Sequence, residues 1–411
     1  MDFNDSRQEA EFRGACSAWL EANAKRNDGA PGVWRWQGKM SLDEAVDRAR
    51  EWQGRKADAG FACIHWPKEH GGAGLSLMHS IIYDQEESNF EVPRGFVELG
   101  LNICAPPLAA YATDQQKQRF LPKMARGEEI WCQLFSEPVA GSDLAGLRTR
   151  AARDGDEWVV NGQKVWNSGA QYSDWAILVT RHDPSMAKHK GLTFFFVSMK
   201  TPGIEPRPIK QISGASGFNE VFLTNVRIPD SQRLGEVGEG WQVSMTTLMS
   251  ERLASRPSPP DFSNVFEMAK RTVLETGRAL ENGAIREQLA DWYVEAQGLK
   301  YTRARLLTAI SQGKRPGPEA SIQKVISANK LQAISSFGAD LQELAGILVG
   351  EGVAEDGGLF QQGYLSAPGS RIAAGTDEIL RNIIAERVLG LPGDIRLDRD
   401  LPFTEIPSGK A

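Results

Sequence analysis

The chain has 411 residues, of which 41% are hydrophobic and 24% are charged, and its formal net charge is −6. These proportions are typical of a soluble globular protein and exclude a disordered, collagen-like or membrane-spanning chain. An acidic chain lacks the basic surplus that displaces counterions, so we expect neither nucleic acid nor a membrane as a partner. At roughly 100 to 200 residues per domain, the length predicts about two or three domains.

Cysteine, histidine and N-terminal composition narrow the class of protein further. The four cysteines include no C-x-x-C pair and the five histidines show no ligand spacing, so the sequence predicts neither a disulfide framework nor a metal site. The first residues are acidic and lack an apolar signal core. This composition predicts a cytoplasmic protein.

Residues 1–129 carry a helical hydrophobic period. Phe12, Cys16 and Leu20 fall on one stripe, and residues 114–125 form another amphipathic segment. We therefore expect an N-terminal α-helical domain over 1–129.

The pattern changes between residues 130 and 236, where short runs rich in β-branched and aromatic residues alternate with Gly, Asn, Asp and Pro. These runs follow one another at hairpin spacing without helices between them, which favours an antiparallel barrel or sandwich over a parallel nucleotide-binding sheet. The clearest runs are residues 157–162, 175–180, 192–197 and 219–224.

A helical period returns over residues 237–392, which we interpret as a C-terminal helical bundle, followed by a short turn-rich tail at 393–411. The sequence thus predicts an α+β multidomain protein. Phosphate-loop, nucleophile-elbow and dinucleotide-binding glycine motifs are absent from it. A cleft between the β domain and the bundle is the expected ligand site. The bundle helices are predicted near 241–255, 262–280, 284–312, 319–349 and 370–389.

Two motifs in the β domain suggest that it holds a flat, polar ring. Residues 135–143 read FSEPVAGSD, a turn rich in backbone N–H groups and hydroxyls. Residues 161–168 read NGQKVWNS, a hairpin strand that ends with an aromatic face beside a hydroxyl. Taken alone, both could be ordinary turns.

Together with later motifs, these segments resemble the acyl-CoA dehydrogenase family. WPKEHGG at 66–72, NVRIP at 225–229 and GTDEILR at 375–381 follow in that family's order. The resemblance implies a helical N-terminal domain, a middle antiparallel β barrel and a four-helix-bundle-type C-terminal domain. It also implies FAD as cofactor, oxidation of an acyl-CoA thioester to the trans-2-enoyl-CoA, and an electron-transfer flavoprotein as electron acceptor. The expected assembly is a homodimer, homotetramer or heterotetramer.

The resemblance assigns cofactor contacts to the β domain. Ser136 and Ser168 match positions near the reactive nitrogen of the flavin, and Trp166 matches a residue that lies against the ring. Ser142 matches a contact to the pyrophosphate or pantetheine region, and so belongs to both the cofactor and the substrate. The full set expected here is Phe135, Ser136, Gly141, Ser142, Trp166 and Ser168.

Further cofactor contacts are implied in the bundle. Gln342 and Gly346 match the stretch that holds the adenosine end of a neighbouring subunit's FAD, and Thr376 and Glu378 match phosphate and ribose contacts. Thr376 also opens a predicted helix, where backbone donors suit an anion. The arginine for the FAD pyrophosphate has no clear match, and Arg278 is the candidate.

The catalytic base is assigned by the same resemblance. Many members carry a glutamate just before the late Gly-Thr, where this chain has Ala374, whereas isovaleryl- and long-chain-type members place it at the position of Glu251. Glu251 is therefore the expected base, with a solvated Glu-Arg pair as the alternative. Arg252 and Gly375 match substrate contacts. The backbone N–H of Ala374 and a ribityl hydroxyl would polarise the thioester carbonyl.

Two other interpretations remain open at this stage. The chain could be a non-catalytic or half-site subunit of a heteromeric enzyme, since Val139 and Ala345 replace glycines that are usual in the family. It could also be an acyl-CoA oxidase or a flavin monooxygenase relative on the same fold.

Overall fold

The structure is a computed structural model that describes residues 5–27, 39–254, 260–312, 317–350, 352–393, 395, 398 and 400–406. The side chains of residues 251–254, 310 and 311 lie outside the description. The chain divides into two compact units. The N-terminal unit comprises residues 11–26, 34–254 and 394–411, and the C-terminal unit comprises 1–10, 27–33 and 255–393.

Two helices of the first part of the chain begin at side-chain caps. The Ser41 hydroxyl accepts a hydrogen bond from the backbone N–H of Glu44, and Thr113 and Gln116 form a reciprocal capping box. The helix over 114–125 has the predicted bounds. The helices are α1 (Arg7–Asn23), α2 (Leu42–Asp58), α3 (Leu77–Glu87), α4 (Ala105–Tyr111), α5 (Asp114–Ala125) and α6 (Gly240–Ala254).

The β region is one eight-stranded sheet. Its strands are β3 (Trp131–Leu134), β4 (Arg150–Asp154), β5 (Glu157–Ser168), β6 (Trp175–Arg181), β7 (Leu192–Ser198), β8 (Ile204–Ile209), β9 (Phe218–Pro229) and β10 (Arg233–Leu234). Their order in the sheet is β10-β7-β6-β4-β5-β9-β8, with β3 also pairing β6. The β3·β6 and β4·β6 pairings are parallel, a detail that hairpin spacing does not predict, and the others are antiparallel. A separate pair is formed by β1 (Lys25–Arg26) and β2 (Phe90–Glu91).

Strand β7 is buried on both faces of this sheet. Phe194 and Phe196 belong to a core cluster with Phe120 of α5, whereas Phe195 and Val197 pack into a second cluster on the opposite face. Side chains alternate between faces along a strand, so a strand covered on both sides reads as a continuous apolar run.

The C-terminal unit is helical around a core that includes Val265, Met268, Trp292, Ile334 and Phe360. No helix in the described ranges has an apolar stretch long enough to cross a membrane. The elements are α7 (Phe262–Arg271), β11 (Val273–Leu274), β12 (Gly277–Arg278), α8 (Gly283–Ser311), α9 (Ala320–Asp340), α10 (Leu359–Ile372) and α11 (Asp377–Ile383).

Two of the predicted bundle helices are too long, and a third is interrupted. The helix predicted near 262–280 ends at Arg271, because the next residues form a small hairpin that turns before Gly277, at φ +121°. The helix near 319–349 ends at Asp340. The helix near 370–389 is broken at Ala374, whose backbone is left-handed. The order helical, β, helical is confirmed.

Candidate active site

The loop that follows β3 carries the first motif. Its backbone closes a tight turn, because Glu137 and Ala140 exchange N–H to C=O hydrogen bonds of 2.9 and 3.0 Å. Phe135 anchors the loop in the core, edge-to-face with Phe194 at 5.7 Å between ring centroids. The turn presents Val139 to solvent, with 68% of its surface exposed.

Residues at the end of this loop are accessible. Gly141 and Ser142 are exposed and Ser136 is half-buried. A Cβ added at Gly141 would meet open space. The loop therefore presents a hydroxyl and bare backbone to its surroundings.

Trp166 stands out of the second motif. Its φ of +62° coincides with a shift in the β5·β9 register between Lys164 and Asn167. The side chain is 57% exposed and makes an edge contact with Phe218 at 6.0 Å. A non-glycine residue in this region costs about 1 kcal/mol, and such strain marks functional positions.

The neighbours of Trp166 are anchored inward. The buried Asn167 amide donates to the backbone carbonyl of Gln133 at 2.7 Å, and the Asn219 amide donates to the carbonyl of Asn167 at 3.0 Å. These bonds fix the strand on either side of the irregularity. Trp166 is held facing outward, and Ser168 beside it is half-buried.

A buried ion pair joins the two motifs. The Lys164 ammonium donates to Glu137 Oε1 at 2.9 Å and to the carbonyl of Phe135 at 3.0 Å, and neither charged side chain exceeds 5% exposure. The carboxylate also accepts the backbone N–H groups of Arg148 and Thr149, at 2.6 and 2.9 Å. In addition, the backbone N–H of Val165 donates to the backbone carbonyl of Ser136 at 2.9 Å. These hydrogen bonds connect the loop to the strand.

Burial and pairing act in opposite directions on the two charges. Burial raises the pKa of Glu137, but the Lys164 charge and the donated hydrogen bonds outweigh it and hold the pKa below its usual value. Burial lowers the pKa of Lys164 and the carboxylate opposes that shift. Glu137 lies in the first motif and Lys164 in the second. Two opposite charges in these motifs were the signal that could have predicted the ion pair, and the sequence analysis overlooked it.

The segment between α10 and α11 contains the residue predicted to donate to the thioester. Ala374 has φ +53° and Gly375 has φ +93°. Thr376 caps α11, its hydroxyl accepting from the N–H of Ile379 at 3.3 Å. Hydrogen bonds from its own backbone and from Thr376 hold the pKa of exposed Glu378 below its ordinary value. The expected residues 374–378 therefore form one tight turn.

Polar side chains from two helices support this turn. Lys324 of α9 donates to the carbonyl of Gly375 at 2.7 Å. Asp377, only 2% exposed, accepts from Arg371 Nε at 2.8 Å and from the Asn329 amide at 3.0 Å. Local sequence did not predict the supports from α9, because Lys324 and Asn329 lie 51 and 48 positions from the residues that they bind.

The left-handed backbone of Ala374 gives a stability prediction. Ala374→Gly should raise the free energy of unfolding by about 1 kcal/mol, because glycine adopts this conformation without the Cβ clash. Ala373→Gly is the matched control, since Ala373 has φ −64° and gains no such relief. Urea denaturation measures both, and a loss of stability in Ala374→Gly would contradict the strain.

The remaining predicted bundle contacts lie near the end of α9 and in the small hairpin. Gln342 accepts from the Gln361 amide at 2.8 Å, and a Cβ at Gly346 would collide with the carbonyl oxygen of Ala339. Arg278 is exposed on β12. Arg271, the other arginine of this region, is already paired with Glu355 at 3.1 Å and with Asp356.

Glu251 and Arg252 lie in the last turn of α6, and their side chains fall outside the described residues. The preceding part of α6 is well anchored. Val243 is buried in the core cluster, and the hydroxyls of Tyr111 and Thr246 are 3.3 Å apart.

Family models match three consecutive stretches of the chain: the N-terminal domain of acyl-CoA dehydrogenases over residues 26–128, the middle domain over 132–226 and the C-terminal domain over 238–389. The acyl-CoA dehydrogenase IpdE1 of Mycobacterium tuberculosis is 36% identical over 399 residues, covering 94% of this chain and 98% of that protein. The chain belongs to the acyl-CoA dehydrogenase family. The human mitochondrial short-chain specific acyl-CoA dehydrogenase is 29% identical over 340 residues, covering 80% of each chain.

Two solved structures share the fold over nearly the full length of this chain. A chain of the ChsE4-ChsE5 complex from Mycobacterium tuberculosis is 28% identical, with a TM-score of 0.75, over 96% of this chain and 100% of that one. A chain of the Tcur3481-Tcur3483 steroid ACAD is 26% identical, with a TM-score of 0.77 and the same coverage.

Proposed function

We propose that this chain is an FAD-dependent dehydrogenase that introduces the α,β double bond into an acyl-CoA thioester. The observation that carries the proposal is the ion-paired junction of the two β motifs, which holds an exposed tryptophan beside an open, hydroxyl-bearing loop in a member of this family. The family assignment supports the reaction class, and the junction supports the proposed position of the ring.

The residues of the β domain fit a flat ring with polar edges. Trp166 offers an aromatic face, Ser136 and Ser168 offer hydroxyl and N–H donors, and Gly141 leaves space for close approach. When bound, the flavin would accept the hydride that leaves the β-carbon. Phe135 fixes the backbone from which these donors project, and Ser142 would contact the pyrophosphate or pantetheine.

The C-terminal unit carries the other residues that we propose as cofactor contacts. Thr376 and Glu378 suit phosphate and ribose, and Gln342 and Gly346 suit the adenosine end bound from a neighbouring subunit. Arg278 is the proposed pyrophosphate arginine. It is exposed, whereas Arg271 is already compensated by two carboxylates.

The chemical step requires a base and a polarised carbonyl. We assign the base to Glu251, which would take the α-proton of the thioester. The N–H of Ala374 would donate to the thioester oxygen, where negative charge develops as the proton leaves. Because this donor is a backbone group, alanine supplies it as well as glutamate would. Arg252 and Gly375 would orient the substrate.

Assembly and electron acceptance are parts of the same proposal. Leu344 and Ile347, in the turn between Gln342 and Leu348, are 88% and 81% exposed. Large apolar side chains exposed together indicate a protein contact. We propose that this turn meets a second subunit, and that an electron-transfer flavoprotein reoxidises the enzyme.

An absorption spectrum followed by anaerobic titration with acyl-CoA thioesters tests the proposal. The purified protein should be yellow, and a thioester of suitable size should bleach it. The panel should include graded straight chains and a steroid-linked thioester, because one related solved structure is described as a steroid ACAD. A colourless protein that binds no FAD would refute the proposal. Rapid reoxidation of the bleached protein by oxygen would favour an oxidase.

The second candidate is a half-site subunit of a heteromeric dehydrogenase. It is favoured by the two solved relatives, each of which is described by a pair of protein names, one of them as a complex. Native mass spectrometry and the ratio of flavin to chain discriminate the two. A homo-oligomer with one flavin per chain supports the first candidate, whereas a substoichiometric flavin content that rises with a partner chain supports the second.

A further inference from the structure

The C-terminal tail forms a strap, defined here as Leu401–Ile406, across the loop 182–191 that joins β6 to β7. The N–H of Phe403 donates to the carbonyl of Met186 at 2.9 Å, and the N–H of Thr404 donates to that of Pro184 at 3.2 Å. Pro402 forms an isolated bridge with Ala187. The strap is therefore bonded to the loop through its backbone.

Phe403 covers a buried arginine. The guanidinium carbon of Arg181 lies 3.6 Å from the centre of the Phe403 ring, and Arg181 is 3% exposed. Its nitrogens donate to the carbonyls of Ala145, Leu147 and Lys188. An aromatic face attracts a desolvated cation, so Phe403 covers the open side of a guanidinium that binds two backbone segments, residues 145–147 and Lys188.

Two routes lead from the C-terminal tail to the loop of the active site, one through Phe403 of the strap and one through Asp398. Arg181 holds residues 145–147, and the next two backbone N–H groups along the chain bind Glu137. Lys188 donates to Asp143 Oδ2 at 3.2 Å and to Asp398 Oδ2 at 2.8 Å. The tail thus contacts supports at both ends of residues 137–143.

We propose that the strap is a positioning element for the Phe135–Asp143 loop, which it holds in its ligand-binding conformation. The inference rests on the proposed function, in which Ser136 and Ser142 of this loop contact the flavin and the thioester. Removing the strap should expose Arg181 and let residues 137–149 open locally, while the sheet beneath keeps its own hydrogen bonds.

Hydrogen exchange of the full chain tests this directly. Two altered chains are compared with the wild type: Phe403→Ala and a chain ending at Asp400. In both, the backbone amide hydrogens of residues 137–149 should exchange with solvent about tenfold faster, as expected when a cation–aromatic contact is lost. Phe403→Tyr, which keeps the aromatic ring over Arg181, and a chain ending at Ile406 are the controls. Exchange in β7 should stay unchanged, which separates local opening from general destabilisation. Unchanged exchange of the loop in both test variants would overturn the proposal.

A milder pair of variants decides the matter if the shortened chain fails to fold. Lys188→Gln should speed exchange at residues 141–147, whereas exposed Lys190→Gln should not. Affinity for coenzyme A, measured by calorimetry, should fall several-fold in Lys188→Gln only. A wild type that neither holds flavin nor bleaches would refute the proposed function, yet the exchange comparison would still report on the strap.

Discussion

Glu251→Gln should keep the yellow colour of the holoenzyme and slow anaerobic bleaching by an acyl-CoA thioester about a thousandfold, within the range usual for the loss of a general base. The amide preserves the size of the side chain but offers no site for the α-proton. Stopped-flow absorbance at the flavin band measures the rate. The Glu251→Gln variant would then bind FAD and the thioester but would not remove the α-proton.

Two further variants make this test specific. Glu267→Gln, an exposed residue of α7 paired with Lys270, should leave bleaching unchanged. Glu251→Gln combined with Ala374→Glu should recover part of the rate, because it returns the carboxylate to the position that other members use. Bleaching at the wild-type rate in Glu251→Gln would remove that residue from the mechanism while leaving the FAD assignment intact.

Lys164→Met should lower the free energy of unfolding by about 3 to 5 kcal/mol, the range found when one partner of a buried ion pair is removed. The cause is the Glu137 carboxylate, which would stay buried without its cation. Flavin should also dissociate more readily, because the carbonyl of Phe135 loses its donor. Urea denaturation and flavin fluorescence measure the two effects.

A double-mutant cycle identifies the cause. Lys164→Met with Glu137→Gln should cost less than the sum of the two single losses, because the amide carries no charge to leave unpaired. Strictly additive losses would mean that the pair contributes no coupling, and that Lys164 acts through its packing alone.

The fold was predictable where local signals agree. Residues 114–125 combine a helical period with a capping Thr113 and Gln116, and their predicted bounds are correct. The run at 192–197 was recognisable as a strand from its aromatic and β-branched residues. Helices were overextended at Arg271 and Asp340, where tertiary context ends them and the hydrophobic period gives no stop signal.

The site was predictable only in part, because its residue types depend on the family resemblance and its geometry depends on distant contacts. The outward-facing Trp166 requires a register shift between β5 and β9, which neither strand encodes alone. The partner of Lys164 lies 27 positions away, across a loop. The left-handed conformation of Ala374 is equally hidden, since alanine ordinarily favours a helix.

The double-sided burial of β7 has a consequence for how the sheet chooses its alignment. In a strand with one solvent-exposed face, a shift of the pairing register by one residue would move the core side chains into water, which costs free energy. Along β7 such a slip would exchange Phe194 and Phe196 for Phe195 and Val197, leaving apolar groups on either side. Hydrophobicity therefore cannot select the pairing with β6. The register is set instead by polar contacts at the end of the strand. One of them is the hydrogen bond that the Thr180 hydroxyl donates to the backbone carbonyl of Thr193 at 3.2 Å.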